Sequence, residues 1–329
     1  MWDAPTAERN MIEAVVDDEF VDGIRLDSFL ARTYPEKSRS IFQKYITNGL
    51  VYVNGRVVSK STKVYPGNVI EFSWPQNDAE IPLSPEDIPL DILYEDDSII
   101  VINKPAGLVV HPAQGNMTGT LVHGLLFHDT QVFEEMLDGE KRPGIVHRLD
   151  KNTSGTLIAA KNLDVWMTLK DTFRQHDLDK IYLAIALGSF EKKSGVINAP
   201  IGRHPTNRQR MAIVQENGKE AISNYRVLGE SNGCSLVQIT ILTGRTHQIR
   251  VHLSHIGHPV LGDPFYGGCP KNAPFHPERQ MLHSWILRIP HPVTKQRMEF
   301  VSPLHKDFLE TLDALKLPVP EVLPTNSSP

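Results

Sequence analysis

Cysteine is scarce in this chain: two residues, Cys234 and Cys269, in 329. That number can build neither a disulfide framework nor a cysteine-based zinc site, and it suits a reducing compartment. Long apolar runs are missing too, so no segment is expected to span a bilayer. The first twenty residues, MWDAPTAERNMIEAVVDDEF, are acidic and lack the basic start and apolar stretch of a secretory signal. A cytoplasmic protein is the expectation. Neither GxxxxGK[ST] nor GxGxxG occurs, which removes the usual phosphate-cradling loops. The stretch GIVHRLDKNTSGTLIAAKN, residues 144–162, offers one carboxylate, Asp150, two residues after Arg148. A second acid is absent from it, and paired-carboxylate chemistry of the glycosidase kind normally needs two.

What is present reads as an ordinary globular composition, 40% hydrophobic and 22% charged, long enough for two compact domains. The formal net charge of −5 hides a segregated pattern. Between Arg25 and Lys63 the bases Arg25, Arg32, Lys37, Arg39, Lys44, Arg56, Lys60 and Lys63 outnumber Asp27 and Glu36. Acids dominate on either side. IRLDSFLARTY and SRSIFQKYITNGL carry apolar residues at helical spacing, with Ser38 a candidate N-cap and Asn48-Gly49 a stop. VYVNGRVV then reads as a hairpin through Asn54-Gly55, and PGNVIEF adds a strand. Two short helices and a hairpin carrying bases could hold an RNA backbone. The block resembles the small RNA-binding module shared by a small-subunit ribosomal protein and several RNA-modifying enzymes; its bland alternative is a solvated basic face.

Beyond it, WPQNDAEIPLSPEDIPL has prolines at 75, 82, 85 and 89 and no periodicity, as expected of a linker. The second domain then begins with a strand pair in ILYEDDSIIVINKPAGLVVHP. Further strands are expected at TLIAAK, KIYLAIALG, SNYRVLG and CSLVQITIL, with helices near GTLVHGLLFH and VWMTLKDTFRQH. Strands outnumber helices without regular alternation, which points to α+β with a mixed or antiparallel sheet. The expected division is an acidic tail (1–19), a module (20–75), a linker (76–89), a main domain (90–316) and a disordered tail (317–329).

Asp150, Tyr182 in DKIYLAIALG and Arg245 in LTGRTHQIRVH are the chemistry-bearing candidates, and each alone has a plain structural reading as a turn-capping aspartate, a strand tyrosine or a surface arginine. HIGH at 255–258 spells a class I aminoacyl-tRNA synthetase signature, and VSKST at 58–62 faintly matches the second motif of those enzymes. Here the lysine stretch precedes the histidines and lies in another module, so the order excludes that reading. His247, His252, His255 and His258 invite a metal. A strand at THQIRVH would put His247 and His252 on opposite faces, and His283 stands far along the chain. No metal site is therefore expected.

Together, GIVHRLDKNTSG, KIYLAI, TGRTHQIRVHLSHIGHPVLGDPFYGG and INKPAGLVVHP resemble the RluA-type family of RNA pseudouridine synthases from about Leu90 to Leu315. APIGRHPTNRQRMAI and GKEAISNYRVL look most like its RluD-like branch, which modifies large-subunit ribosomal RNA. Asn152 departs from the acid that many members carry there. The resemblance implies a pseudouridine synthase fold with a central mixed, mostly antiparallel sheet and a catalytic cleft. It implies an isomerase without cofactor, acting on ribosomal RNA or a ribosome assembly intermediate, with no membrane partner and as a monomer. Asp150 would be the nucleophile, Arg245 its ion-pair partner and Tyr182 the ring stacked on the target base. Arg148 would fill the space left by the extruded base, and Ile249 would wall the uracil pocket. Two alternatives differ in class: a non-catalytic RNA-binding or ribosome-assembly factor on the same fold, and a zinc hydrolase using the histidines.

Overall fold

The computed structural model describes residues 11–35, 39–47, 49–59, 61–73, 83–112, 116–136, 143–207, 209–268, 271, 273 and 275–321. Ser38, Asn48, Cys269, most of the expected linker and the tail from 322 lie outside them. The chain divides into two compact units, residues 1–80 and 81–329.

In the first unit, helices Leu26–Thr33 and Arg39–Thr47 cover a sheet in which Val69–Ser73 pairs with Met11–Val15 on one side and Val51–Val53 on the other. Asn54 and Gly55 both take positive φ, 50° and 73°, as the expected two-residue hairpin turn demands. Residues 11–15 are not part of a tail: Ile12 and Ala14 alternate onto the core with the buried Val16, so the acidic segment supplies an edge strand. Asp27 is wholly buried. Burial alone would raise its pKa, but hydrogen bonds from Arg25, Gln43 and Arg39 outweigh that and hold it well below the usual carboxylate range. Two bases of the basic block are thus anchored at one end, while their side chains remain 43% and 51% exposed.

The second unit is built on a nine-stranded sheet in the order 194–198, 222–231, 234–241, 179–187, 282–290, 154–160, 99–104, 92–95, with 297–301 also paired to 282–290. Every pairing is antiparallel except Leu282–Pro290 against Ser154–Ala160. This is the expected α+β architecture. Ile99–Lys104 and Ser154–Ala160 are buried throughout, and helices Leu121–His128 and Leu163–Gln175 form where the spacing predicted them. Period-two alternation splits the central strand: Tyr182, Ala184 and Ala186 face one core, Ile181, Leu183 and Ile185 the other. Leu83 and Leu90 pack against the first of these cores and Leu317 lies in the second, so this unit reaches into the segments expected as linker and tail. No helix among the described residues is long and apolar enough to cross a membrane.

THQIRVH is where local expectation fails. Gln248–His255 is a helix, not a strand. Ile249, Leu253 and Ile256 recur at i, i+4 and i+7 and pack on the first core, so the helical period was there to be read. Gln248 closes its start: Oε1 accepts from the Arg245 backbone N–H (3.0 Å) and the Thr243 hydroxyl (2.8 Å).

Two glycines have steric reasons. Gly144 (φ 72°) and Gly155 (φ 109°) flank the Asp150 stretch, and a Cβ at either would overlap a carbonyl oxygen, that of Ala160 or of Ser284. Gly155 sits at the parallel junction with Leu282–Pro290, where backbone meets backbone. Gly155→Ala is expected to lower unfolding free energy by about 2–4 kcal/mol, combining positive-φ strain with overpacking. Urea unfolding followed through the fluorescence of buried Trp285 reads the loss; an unchanged midpoint would show that the strands can part without cost.

Candidate active site

Asp150 lies in the segment leading into Ser154–Ala160, and cationic side chains lock that segment's backbone in place. Lys104, fully buried at the end of its strand, donates from Nζ to the carbonyls of Pro105 (2.7 Å), Leu108 (2.9 Å) and Lys151 (3.1 Å). Arg279 pairs with Asp307 through both nitrogens and donates to the carbonyls of Asn152, Gln280 and Leu282. Asn152 enters this clamp through its backbone, so its departure from an acid leaves the clamp intact. Thr153 N–H closes the turn on the Asp150 carbonyl at 3.0 Å.

The segment opens into a cavity of about 530 Å³. All five residues expected at a site, Asp150, Tyr182, Arg245, Arg148 and Ile249, line it. Its other walls include Ile145, Ile241 and Leu282, with His147 stacked on Phe173 at 4.8 Å.

The partner of Asp150 differs from expectation. Arg250, not Arg245, donates to Asp150 Oδ2 (3.0 Å). The helix explains this: Arg250 lies in its first turn with a side chain only 4% exposed, whereas Arg245 sits in the turn before it and donates Nε to the Glu220 carbonyl at 2.8 Å. Arg250 simultaneously grips the fully buried Asp263 through Nε (2.6 Å) and Nη2 (2.9 Å). Burial alone would lower the guanidinium pKa; the two carboxylates reverse that and raise it well above the usual arginine value.

His247 approaches the same oxygen, with Nε2 3.9 Å from Asp150 Oδ2. Its Nδ1 lies 2.7 Å from the Tyr266 hydroxyl, which accepts the Met211 N–H at 2.8 Å. Nε2, on the far side of the ring, faces the carboxylate. Burial keeps this imidazole below its ordinary pKa, hence neutral at pH 7. Both neighbours gather on Oδ2. Among the described residues no hydrogen bond reaches Oδ1, and the side chain is 17% exposed to the cavity.

Tyr182 comes from the central strand opposite a register shift, where Leu282–Pro290 carries the extra residue, Trp285, between the partners of Ile181 and Tyr182. Burial pushes its phenol up to about 12, so it is neutral at physiological pH. Ser284, which donates to the Thr156 carbonyl at 3.1 Å, is its hydrogen-bond partner.

The candidate metal histidines scatter. His252 is buried between the Ser223 hydroxyl and the Ala199 carbonyl, His258 stacks on Phe190, and His283 bridges Ser154 and the Ser302 carbonyl. Among the described residues no three His, Cys, Asp or Glu side chains gather as a metal-binding group. Sequence reasoning missed Arg250, Asp263 and Tyr266, and took His247 only as a candidate metal ligand. Arg250 was visible as the second arginine of the same motif, and GDPFYG stood unread at the end of the quoted match.

Residues 98–255 match the family described as RNA pseudouridylate synthase, and residues 24–70 match the S4 domain. The chain is 44% identical to ribosomal large subunit pseudouridine synthase D of Nitrosomonas europaea, covering 93% of this chain and 88% of that protein. It is 43% identical to the protein of the same name from Pasteurella multocida, covering 89% and 92%. The solved structure of human RNA pseudouridylate synthase domain containing 1 superposes with a TM-score of 0.54 at 28% identity, over 72% of this chain and 98% of that one.

The two arginines should separate in stability. Arg250→Met strands buried Asp263 and is expected to cost about 3–5 kcal/mol. Arg245→Met should cost about 1 kcal/mol or less, since it removes a half-exposed side chain with one hydrogen bond to the backbone. Parallel urea titrations check the ranking, and equal losses would contradict the assignment of Arg250 as the buried anchor.

Proposed function

The chain belongs to the RNA pseudouridine synthases, and we propose that it isomerises uridines of large-subunit ribosomal RNA with Asp150 as nucleophile. The observation that carries this reading is the asymmetry of Asp150: Oδ2 is held by Arg250 while Oδ1 is open to the cavity. The names of the relatives support the choice of RNA.

Making pseudouridine breaks the bond from C1′ to N1, forms one from C1′ to C5, and moves a proton from C5 to N1. Nothing is oxidised and no water is consumed. One carboxylate suffices if it is held and aimed, and the Arg250 ion pair on Oδ2 does both. Attack at C1′, attack at the base and an elimination begun by the carboxylate all use the same oxygen. The uridine must leave its stack at a cost of about a few kcal/mol. In this reading Tyr182 offers the ring on which it stacks, and exposed Arg148 takes the vacated place between neighbouring bases. Ile249 closes the apolar wall. Tyr182, being a neutral phenol, orients the base and passes a proton only as part of a hydrogen-bonded chain.

The S4 domain supplies a second RNA-binding surface. Arg32, Arg56 and Lys63 are exposed on it. Replacing all three with Gln is expected to weaken RNA binding and to flatten its salt dependence by about 0.7 in logarithmic slope for each phosphate no longer engaged. Filter binding across a salt series measures this, and an unchanged slope would remove these side chains from the RNA interface.

Asp150→Asn tests the chemistry. The amide keeps size and polarity, so RNA affinity should survive, being spread over phosphate and stacking interactions. Single-turnover pseudouridine formation should fall by many orders of magnitude with the fold intact. Residual activity within about tenfold of wild type, roughly 1.4 kcal/mol of barrier, would make Asp150 a bystander. Mapping pseudouridines in ribosomal RNA with and without the protein identifies the target.

A further inference from the structure

The cavity's charge is unbalanced. One carboxylate, Asp150, shares it with Arg148, Arg174, Lys180, Arg245 and Arg250. Arg250 is occupied by Asp150 and Asp263, and Arg174 pairs with Asp171 at 2.9 Å. Lys180 is different: it is 9% exposed, and among the described residues no carboxylate or carbonyl accepts from its Nζ. The ammonium lies 5.8 Å from the centroid of the Phe173 ring and close to Gly244, where an added Cβ would be 3.9 Å away. Gly244 precedes Arg245, whose Nε is fixed on the Glu220 carbonyl while its charge acts on Lys180. Burial, and then that neighbouring cation, push the lysine down to about 8. Two like charges in a recess without a counter-charge are costly to maintain unless an anion joins them.

We propose that Lys180 and Arg245 form an anion subsite that holds a backbone phosphate beside the target uridine. This rests on the isomerase reading above and gives Arg245, displaced from Asp150 by Arg250, a substrate-binding role. A formal negative charge is required because a uracil carbonyl would leave both cations unneutralised; phosphate supplies the charge and several acceptor oxygens. Position agrees. Lys180 and Tyr182 are alternate residues of one strand, on the same face and about 7 Å apart, which separates the cation from a base stacked on the tyrosine but keeps it within reach of that nucleotide's backbone.

The test is a double-mutant cycle between protein and RNA. Wild type, Lys180→Met and Lys180→Arg are assayed on a ribosomal RNA fragment containing the mapped uridine, with a neutral methylphosphonate at either the 5′ or the 3′ linkage. On unmodified RNA, Lys180→Met should lose about tenfold or more in kcat/KM while Lys180→Arg keeps most of the rate. One of the two neutral linkages should cost wild type a similar factor and cost Lys180→Met nothing further. The urea midpoint of Lys180→Met should hold or rise, because an uncompensated buried charge is gone; a lysine kept for structure would lower it. Fully additive losses at both linkages, normal kcat/KM for Lys180→Met, or a loss that follows a falling midpoint would each overturn the subsite. Absence of pseudouridine formation by wild type on any ribosomal RNA would instead remove the isomerase reading, and the subsite with it.

Discussion

A single guanidinium, that of Arg250, stands between two carboxylates brought together from distant parts of the chain, and the site is organised around it. Asp263 is buried and would be untenable without a bidentate partner; Asp150, in its proposed role, must be held through one oxygen and keep the other free. Arg250 meets both demands because a planar fork can give Nε and Nη2 to one carboxylate and Nη1 to the other, which a lysine cannot. The buried ion pair thereby sets where Asp150 points. Its own contribution to stability is secondary, since desolvation offsets much of the attraction.

The same logic recurs around the catalytic segment. A stretch that leaves a sheet carries carbonyls the sheet no longer satisfies, and here buried lysine and arginine side chains reach two of them. Lys104 takes that of Lys151 and Arg279, paired with Asp307, that of Asn152, and each binds two further carbonyls outside the segment. Placement by buried donors is stiffer than placement by a loop's own turns, as the proposed nucleophile would require. Gly144 and Gly155 complete it sterically, letting backbones approach on both sides of the segment.

Electrostatically the protein is acidic overall yet basic around the candidate site and in the S4 domain. The net charge of −5 opposes indiscriminate attraction to nucleic acid, while the cavity and the S4 domain concentrate positive groups. Some of those groups have internal duties, as Arg25, Arg39, Arg174 and Arg250 show by their carboxylate partners. A count of bases therefore overstates the charge available to RNA. The groups left over, Arg148, Lys180 and Arg245 in the cavity, mark where a polyanion would lie.

Local order was legible in the residues themselves. Short apolar runs placed the central strands, the Asn54-Gly55 turn placed a hairpin, and apolar spacing placed Leu121–His128 and Leu163–Gln175, because these patterns follow from the geometry of one segment. The residues Asp150, Tyr182, Arg245, Arg148 and Ile249 were singled out by resemblance to a known family's motifs, and they do share one cavity. Which arginine faces Asp150 could not. TGRTHQIRVH offers two, and the choice turns on whether the stretch is a strand or a helix. Packing of Ile249, Leu253 and Ile256 on the core decides that, with Asp263 waiting thirteen residues beyond Arg250. Likewise the acidic start reads as a tail until Val69–Ser73 pairs with Met11–Val15. Segment identity is a short-range property of the chain, whereas partnership between charges depends on which buried groups the finished fold sets side by side.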